Sequence, residues 1–241
     1  MTMASKTVLI LGSSVHLLLI SLTTSLAQQH TVYLTLPSTA AVPAALSESS
    51  KITVLALDIS SSLSITTVAR RIASSVSGID ILVNDAGLGG SLALLDAMRS
   101  SSTYKTKIAS ITDAVVVFAD LLERKCGRTV CLGTSAAMIS APCMKSARFS
   151  TKEALVHLCS EMRTALAPWG VPVSWITVDW TPTSGPLVVA SSTRRGGTMQ
   201  MSGLVDEIEH DGRSSGWDWP GRFFRGKESD ESMIEKGVLG C

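Results

Sequence analysis

Ile79-Asp80-Ile81-Leu82-Val83-Asn84-Asp85-Ala86-Gly87 is the stretch on which the fold turns. Four of its first five residues are apolar, and three of those are Ile or Val. Gly78 precedes it and Gly87-Leu88-Gly89-Gly90 closes it. A short run of this kind reads as a strand buried on both faces, hence parallel and central in a sheet. It ends in Asn, Asp and Gly, which put polar groups and a pliant backbone at the strand's carboxyl end. In open α/β sheets that edge is where ligands bind.

Working outward, the same grammar repeats. Thr7–Leu11 predicts a first strand, Gly12-Ser13-Ser14 a turn, and Val15 to about Gln28 a helix. Thr31–Thr35 predicts a second strand, and Ala40–Glu48 is helix-compatible. Ile52–Leu57 predicts a third strand closed by Asp58, after which Ser60-Ser61-Ser62 can cap a helix over Leu63–Val76 with Arg70 and Arg71 on its outer face. Beyond the opening stretch, Leu92–Lys107 reads as a linker with a helix start, and Ile108–Arg124 as a long apolar helix. Thr129–Leu132 predicts a strand with Gly133-Thr134-Ser135 at its end, Phe149–Leu166 a helix, and Val171–Val178 a strand. Strands alternating with helices of this length imply right-handed βαβ units. The expectation is therefore one doubly wound α/β domain around a parallel sheet of six or seven strands.

The composition allows this. A chain of 241 residues, 45% hydrophobic and 17% charged, suits one domain with a substantial core. A net charge of +1 gives no electrostatic case for nucleic acid or an anionic membrane. The five cysteines (Cys126, Cys131, Cys143, Cys159, Cys241) lack paired metal-ligand spacing and read as buried thiols of a reducing compartment. His16, His30, His157 and His210 likewise show no ligand spacing, so no metal is expected.

Lys6 followed by the apolar, hydroxyl-rich Thr7–Ala27, with Ser25-Leu26-Ala27 before Gln28, also fits a signal peptide. Gly12 at a strand–helix break favours the strand reading and a cytoplasmic protein. His16 and many Ser and Thr argue against a membrane span. From Thr193 the composition shifts: Arg194-Arg195-Gly196-Gly197 opens a charged, Gly-rich segment anchored by Trp217, Trp219, Phe223 and Phe224. Residues 1–192 are thus read as the domain, and 193–241 as a substrate lid or a tail.

Several segments in order and spacing resemble the short-chain dehydrogenase/reductase family. They are Thr53-Val54-Leu55-Ala56-Leu57-Asp58-Ile59-Ser60, Asn84-Asp85-Ala86-Gly87, Leu92-Ala93-Leu94-Leu95-Asp96, Lys152-Glu153-Ala154-Leu155 and Leu166-Ala167-Pro168-Trp169-Gly170-Val171. The nearest members are similar to fungal 1-acyldihydroxyacetone-phosphate reductases. The resemblance implies a Rossmann-like fold and reduction of a carbonyl or imine of a lipophilic small molecule with NADP(H), in a setting such as fungal secondary metabolism. It also implies a homo-oligomer.

The family's cofactor turn carries three glycines, which let the backbone approach a pyrophosphate at a helix amino terminus. Here Leu11-Gly12-Ser13-Ser14-Val15-His16-Leu17-Leu18 keeps only Gly12, with His16 and Leu18 at the later glycines. Side chains there are expected to obstruct a dinucleotide. Pro37 stands where related reductases place an Arg for the 2′-phosphate, and no carboxylate favours NAD instead. Asp58 matches the adenine-contacting position, with a helix-capping role as the competing reading. The family resemblance makes Gly12, Ser14, Asp58, Asn84, Lys107 and Lys152 the cofactor-binding candidates.

The family's catalysis uses Ser to hold the carbonyl oxygen, Tyr to protonate it, Lys to lower the Tyr pKa, and Asn to hold a water chain. In register, Lys152 is in place, Ser135 fits the Ser with Thr134 close behind, Arg148 stands at the Tyr, and Lys107 at the Asn. Asp179-Trp180 replaces the Pro-Gly turn after the sixth strand. A guanidinium does not deprotonate at working pH, so Arg148 serves as a fixed cation rather than an acid. The catalytic candidates are accordingly Ser135, Arg148, Lys152 and Asp179. A reductase with an atypical proton source, a non-redox cyclase or isomerase on the same scaffold, and an inactive binding partner all remain open on these residues.

Overall fold

The computed structural model describes residues 4–12, 15, 17–39, 42–85, 101–133, 159–181, 185–189, 198–199, 205 and 208. Along these residues run β1 (Thr7–Leu11), α1 (Leu17–Ala27), β2 (Thr31–Leu36), α2 (Ala44–Ser47), β3 (Ile52–Ala56), α3 (Ser62–Ala73), β4 (Ile81–Asn84) and α4 (Ser101–Glu123). β5 (Arg128–Gly133) follows, then helical residues 159–166, β6 (Val173–Thr181), β7 (Gly185–Val189) and β8 (Thr198–Met199). The strands form one sheet in the order β3-β2-β1-β4-β5-β6-β7-β8.

The first six strands in that order are mutually parallel, the doubly wound arrangement expected of the alternating pattern. β1 lies between β2 and β4, and β4 between β1 and β5, so the opening stretch is innermost. β4 starts at Ile81 rather than Ile79. Ile79 N–H donates to Leu121 O, and the Asp80 carboxylate accepts the Thr7 N–H at 2.7 Å.

Both sheet faces are covered, which is why the strands are apolar throughout. Along β1, Leu9 and Leu11 point into one cluster with Ile65, Val68 and Ile72 of α3 and Val115, Phe118 and Leu122 of α4. Val8 and Ile10 point into the other, with Leu18, Leu19, Leu22 and Leu26 of α1. α3 buries Ile65, Val68, Ala69 and Ile72 at helical spacing and leaves Arg70 and Arg71 exposed, as its sequence pattern requires. Among the described residues no helix is long and apolar enough to cross a membrane.

Two departures have local causes. α2 is confined to Ala44–Ser47 because Pro43, at its amino-terminal boundary, cannot occupy a helix interior. α4 starts at Ser101, inside the stretch expected to hold the helix start. β6 runs on to Thr181, so Asp179 and Trp180 are strand residues and not a turn. Pro182 and Ser184, residue types that favour turns, come only afterwards in the sequence. The connection from Thr181 to Gly185 is too short for a crossover, so β7 returns antiparallel along β6, and β8 pairs antiparallel with β7. The six-strand parallel sheet is therefore extended by antiparallel strands that the sequence pattern did not disclose.

Candidate functional site

The carboxyl ends of β1, β2 and β4 meet at Gly12. Its N–H donates to Thr35 O at 3.0 Å, while Thr35 Oγ1 donates to Ile10 O at 3.2 Å. A Cβ built on Gly12 would stand 2.9 Å from Thr35 O, 3.1 Å from Leu19 Cδ2 and 3.2 Å from Leu36 Cδ2. Glycine is thus demanded by the crossing of β1 past β2 and α1, and its donor is already committed to the sheet. On the other side, Asp85 N–H donates to Leu11 O at 3.0 Å and carries the β1–β4 pairing past the end of the strand. Asn84 and Asp85 are buried, at 4% and 1% exposure, so the polar end of the opening stretch is sealed between β1 and β5.

α1 begins beside this edge. Leu18 does not project over the turn as expected; it is buried against Val8 and Ile10 of β1 and Leu34 and Leu36 of β2. The space a third glycine gives for close helix–strand approach is here filled by a leucine side chain packed on the sheet. The exposed apolar groups at the edge are instead Val15 and Leu17, at 39% and 55%.

Asp58 organises the turn from β3 into α3. Its Oδ1 accepts both the Ser60 N–H at 2.9 Å and the Ser60 hydroxyl at 2.6 Å. Its own N–H donates to Ser64 Oγ at 3.1 Å, and its carbonyl accepts the Ser61 N–H at 3.1 Å. The helix cap itself is Ser61, whose Oγ accepts the Ser64 N–H at 3.3 Å. Of the two readings of Asp58, the structural one is present, as an Asx turn just ahead of the cap rather than the cap. The Ser60 hydroxyl and then the Ser60 N–H stabilise the ionised form and hold the Asp58 carboxyl below its usual value. The carboxylate is exposed and its hydrogen bonds run through Oδ1.

Pro37 is exposed directly after β2 and offers no N–H donor there. Lys107 lies on α4. Asp179 lies in β6 opposite Leu187, two positions past Thr177, the partner of Gly133 at the end of β5. It therefore remains at the carboxyl edge of the sheet, on a strand instead of a turn. Ser14, His16, Thr134, Ser135, Arg148 and Lys152 lie outside the described residues. Sequence reasoning missed Thr35, whose carbonyl fixes Gly12 from a neighbouring strand and leaves no local signal. Ser60 was read only as part of a helix cap, and its bonds to Asp58 were missed, although Asp-x-Ser is a recognisable Asx-turn pattern.

As a dinucleotide site this edge fits one end better than the other. An exposed, ionised Asp58 suits a hydrogen-bond donor such as an adenine amine. The Gly12 turn suits a pyrophosphate less, with its glycine N–H taken by Thr35.

Among curated proteins none matches the chain. Solved structures with the same fold include the Pseudomonas aeruginosa RhlG/NADP active-site complex, with 18% identity, TM-score 0.63, and 76% of this chain and 75% of that one covered. A short-chain type dehydrogenase/reductase from Mycobacterium marinum has 20% identity and TM-score 0.60, covering 72% and 74%. A double mutant of a Serratia marcescens short-chain dehydrogenase/reductase has 24% identity and TM-score 0.58, covering 73% and 75%. The short chain dehydrogenase family model matches residues 6–186, well over half of the chain, and the chain belongs to that family.

Proposed function

We propose that the protein is a cytoplasmic oxidoreductase that reduces a carbonyl or imine of a lipophilic small molecule with NADP(H), held weakly and with little preference over NAD(H). The observation that carries this reading is the carboxyl edge of β1, β3 and β4. There Gly12, Asp58 and Asn84 stand at the ends of three strands along one sheet edge, in a chain that shares its fold with an NADP complex, and this supports reading them as dinucleotide contacts. NADP(H), when bound, supplies the hydride.

The chain's own residues do the rest. Asp58 accepts from the adenine amine, while Asn84 stiffens the central edge. Ser135, or Thr134 beside it, donates a hydrogen bond to the substrate oxygen. Arg148 polarises that oxygen as a fixed cation, because a guanidinium gives up no proton at neutral pH. Lys152, four residues on in the sequence, is the second cation, and Asp179 balances the two. Lys107 takes the position at which the family holds a water chain.

The test is consumption of NADPH against a panel of lipophilic ketones and imines. We expect turnover with at least one compound, and a loss of roughly 10²-fold in Arg148→Ala and Lys152→Ala, the scale of one positioned catalytic group. Asp179→Asn should fall by less. Unchanged rates in all three variants would show the site to be vestigial.

A further inference from the structure

Asp85 carries a carboxyl group that the proposed chemistry does not use, and strand geometry fixes the side of the sheet it occupies. Leu82 of β4 belongs to the cluster under α3 and α4, whereas Ile81 and Val83 belong to the cluster under α1. Successive strand residues point to opposite faces. The Asp85 N–H donates to Leu11 O at 3.0 Å, so the pairing with β1 continues one residue past the end of β4. Asp85 therefore follows Val83 onto the α1 side.

Its neighbour across that pairing is the Gly12 turn. Leu11 is the register partner of Asn84, which puts Asp85 level with Gly12. A Cβ on Gly12 would meet Leu19 of α1 and Leu36, both in the α1-side cluster, so the two positions share one face. Among the described residues that end β1, β2, β3 and β4 (11–12, 36–39, 57–58 and 84–85), the charged side chains are Asp58 and Asp85, both acidic. Asp58 is exposed, and water screens it. Asp85 is 1% exposed, so its charge is screened far less.

A dinucleotide brings an anionic pyrophosphate to a turn of this kind, at the amino end of the following helix. We propose that Asp85 is an affinity-determining residue of this edge: its buried carboxylate repels the pyrophosphate and keeps dinucleotide binding weak. The inference rests on the dinucleotide reading given above and adds an electrostatic cause to the weakness stated there. Repulsion acts on the phosphates and leaves an uncharged nucleoside alone. Between the water-screened and partly buried limits, one like charge at a few ångströms changes a binding constant by about tenfold or more.

The test is calorimetric titration of the full chain, as wild type and as Asp85→Asn, with NADPH, ADP and adenosine at concentrations that reach weak binding. Asn is close to Asp in size and differs mainly in charge. The expected result is that Asp85→Asn binds NADPH and ADP about tenfold more tightly, while adenosine affinity stays where it was. In wild type alone, ADP is expected to bind no more tightly than adenosine, a comparison that decides the matter if the variant does not fold. Equal affinity of wild type and Asp85→Asn for NADPH and ADP would overturn the proposal and leave the dinucleotide reading standing. A matching gain for adenosine would overturn it too, because a change of shape and not of charge would then be the cause. Binding of none of the three to either protein would overturn the proposal and the dinucleotide reading together.

Discussion

Gly12 carries a different physical load from the one its motif suggests. Its glycine is enforced by a backbone oxygen, Thr35 O, which a Cβ would approach to 2.9 Å. Gly12→Ala should therefore cost about 1–3 kcal/mol of stability, the range for overpacking against atoms that cannot swing away. Chemical denaturation would show this as a lower midpoint. Thr129 presents the opposite case: it is fully buried on β5, and its hydroxyl has no hydrogen-bond partner among the described residues. Replacing it with the isosteric Val should raise stability by about 1 kcal/mol, because an unsatisfied buried hydroxyl is removed. At Asp58 the prediction concerns titration. Its lowered carboxyl contributes stability that is present above the ordinary carboxylate value and lost as pH falls through the lowered one. Ser60→Ala should move the Asp58 titration up toward the ordinary aspartate value, read by carboxyl-carbon NMR. The sequence singled out Gly12 and Asp58 as cofactor-binding candidates, and the structure gives each a structural role. The sequence could not disclose those roles, since Thr35 is remote in the chain and a turn-forming and a ligand-binding Asp are one residue type.

At the scale of elements, strands were legible where burial on both faces forces unbroken Ile, Leu and Val, as in β1 and β4. α3 was legible because Ile65, Val68, Ala69 and Ile72 recur against two outward arginines. Its cap is testable: Ser61→Ala should cost about 1 kcal/mol, because the Ser64 N–H loses its acceptor. α4 anchors one face of the sheet through Phe118, which has no exposed surface, and Phe118→Ala should cost about 3–5 kcal/mol in the same denaturation experiment. The β6–β7 hairpin was not legible. Asp179-Trp180 read as a turn by its place in a family pattern, whereas Trp180 and Thr181 are good strand formers and the turn chemistry starts at Pro182. Where a strand ends is decided by the first residues that cannot continue it, not by alignment to a related chain.

For the molecule as a whole, the six parallel strands bring the ends of β1, β3 and β4 to one edge, where the dinucleotide is proposed to bind. The sheet order followed from alternating buried strands and long helices, so the candidate edge was legible. The strength of binding proposed there was not, because it depends on how a turn stripped of two glycines accommodates a pyrophosphate, and on Pro37 where a 2′-phosphate would meet an arginine. Pro37 can give no bidentate cationic contact, so discrimination between the two nicotinamide cofactors should be small. The most direct measurement is a titration of the purified protein with NADPH and, separately, NADH, followed by nicotinamide fluorescence. The account predicts saturable binding of both with dissociation constants well above 1 μM, on the scale where that value corresponds to about −8.2 kcal/mol, and within a fewfold of each other. Sub-micromolar NADPH binding with strong rejection of NADH, or no binding of either, would contradict it.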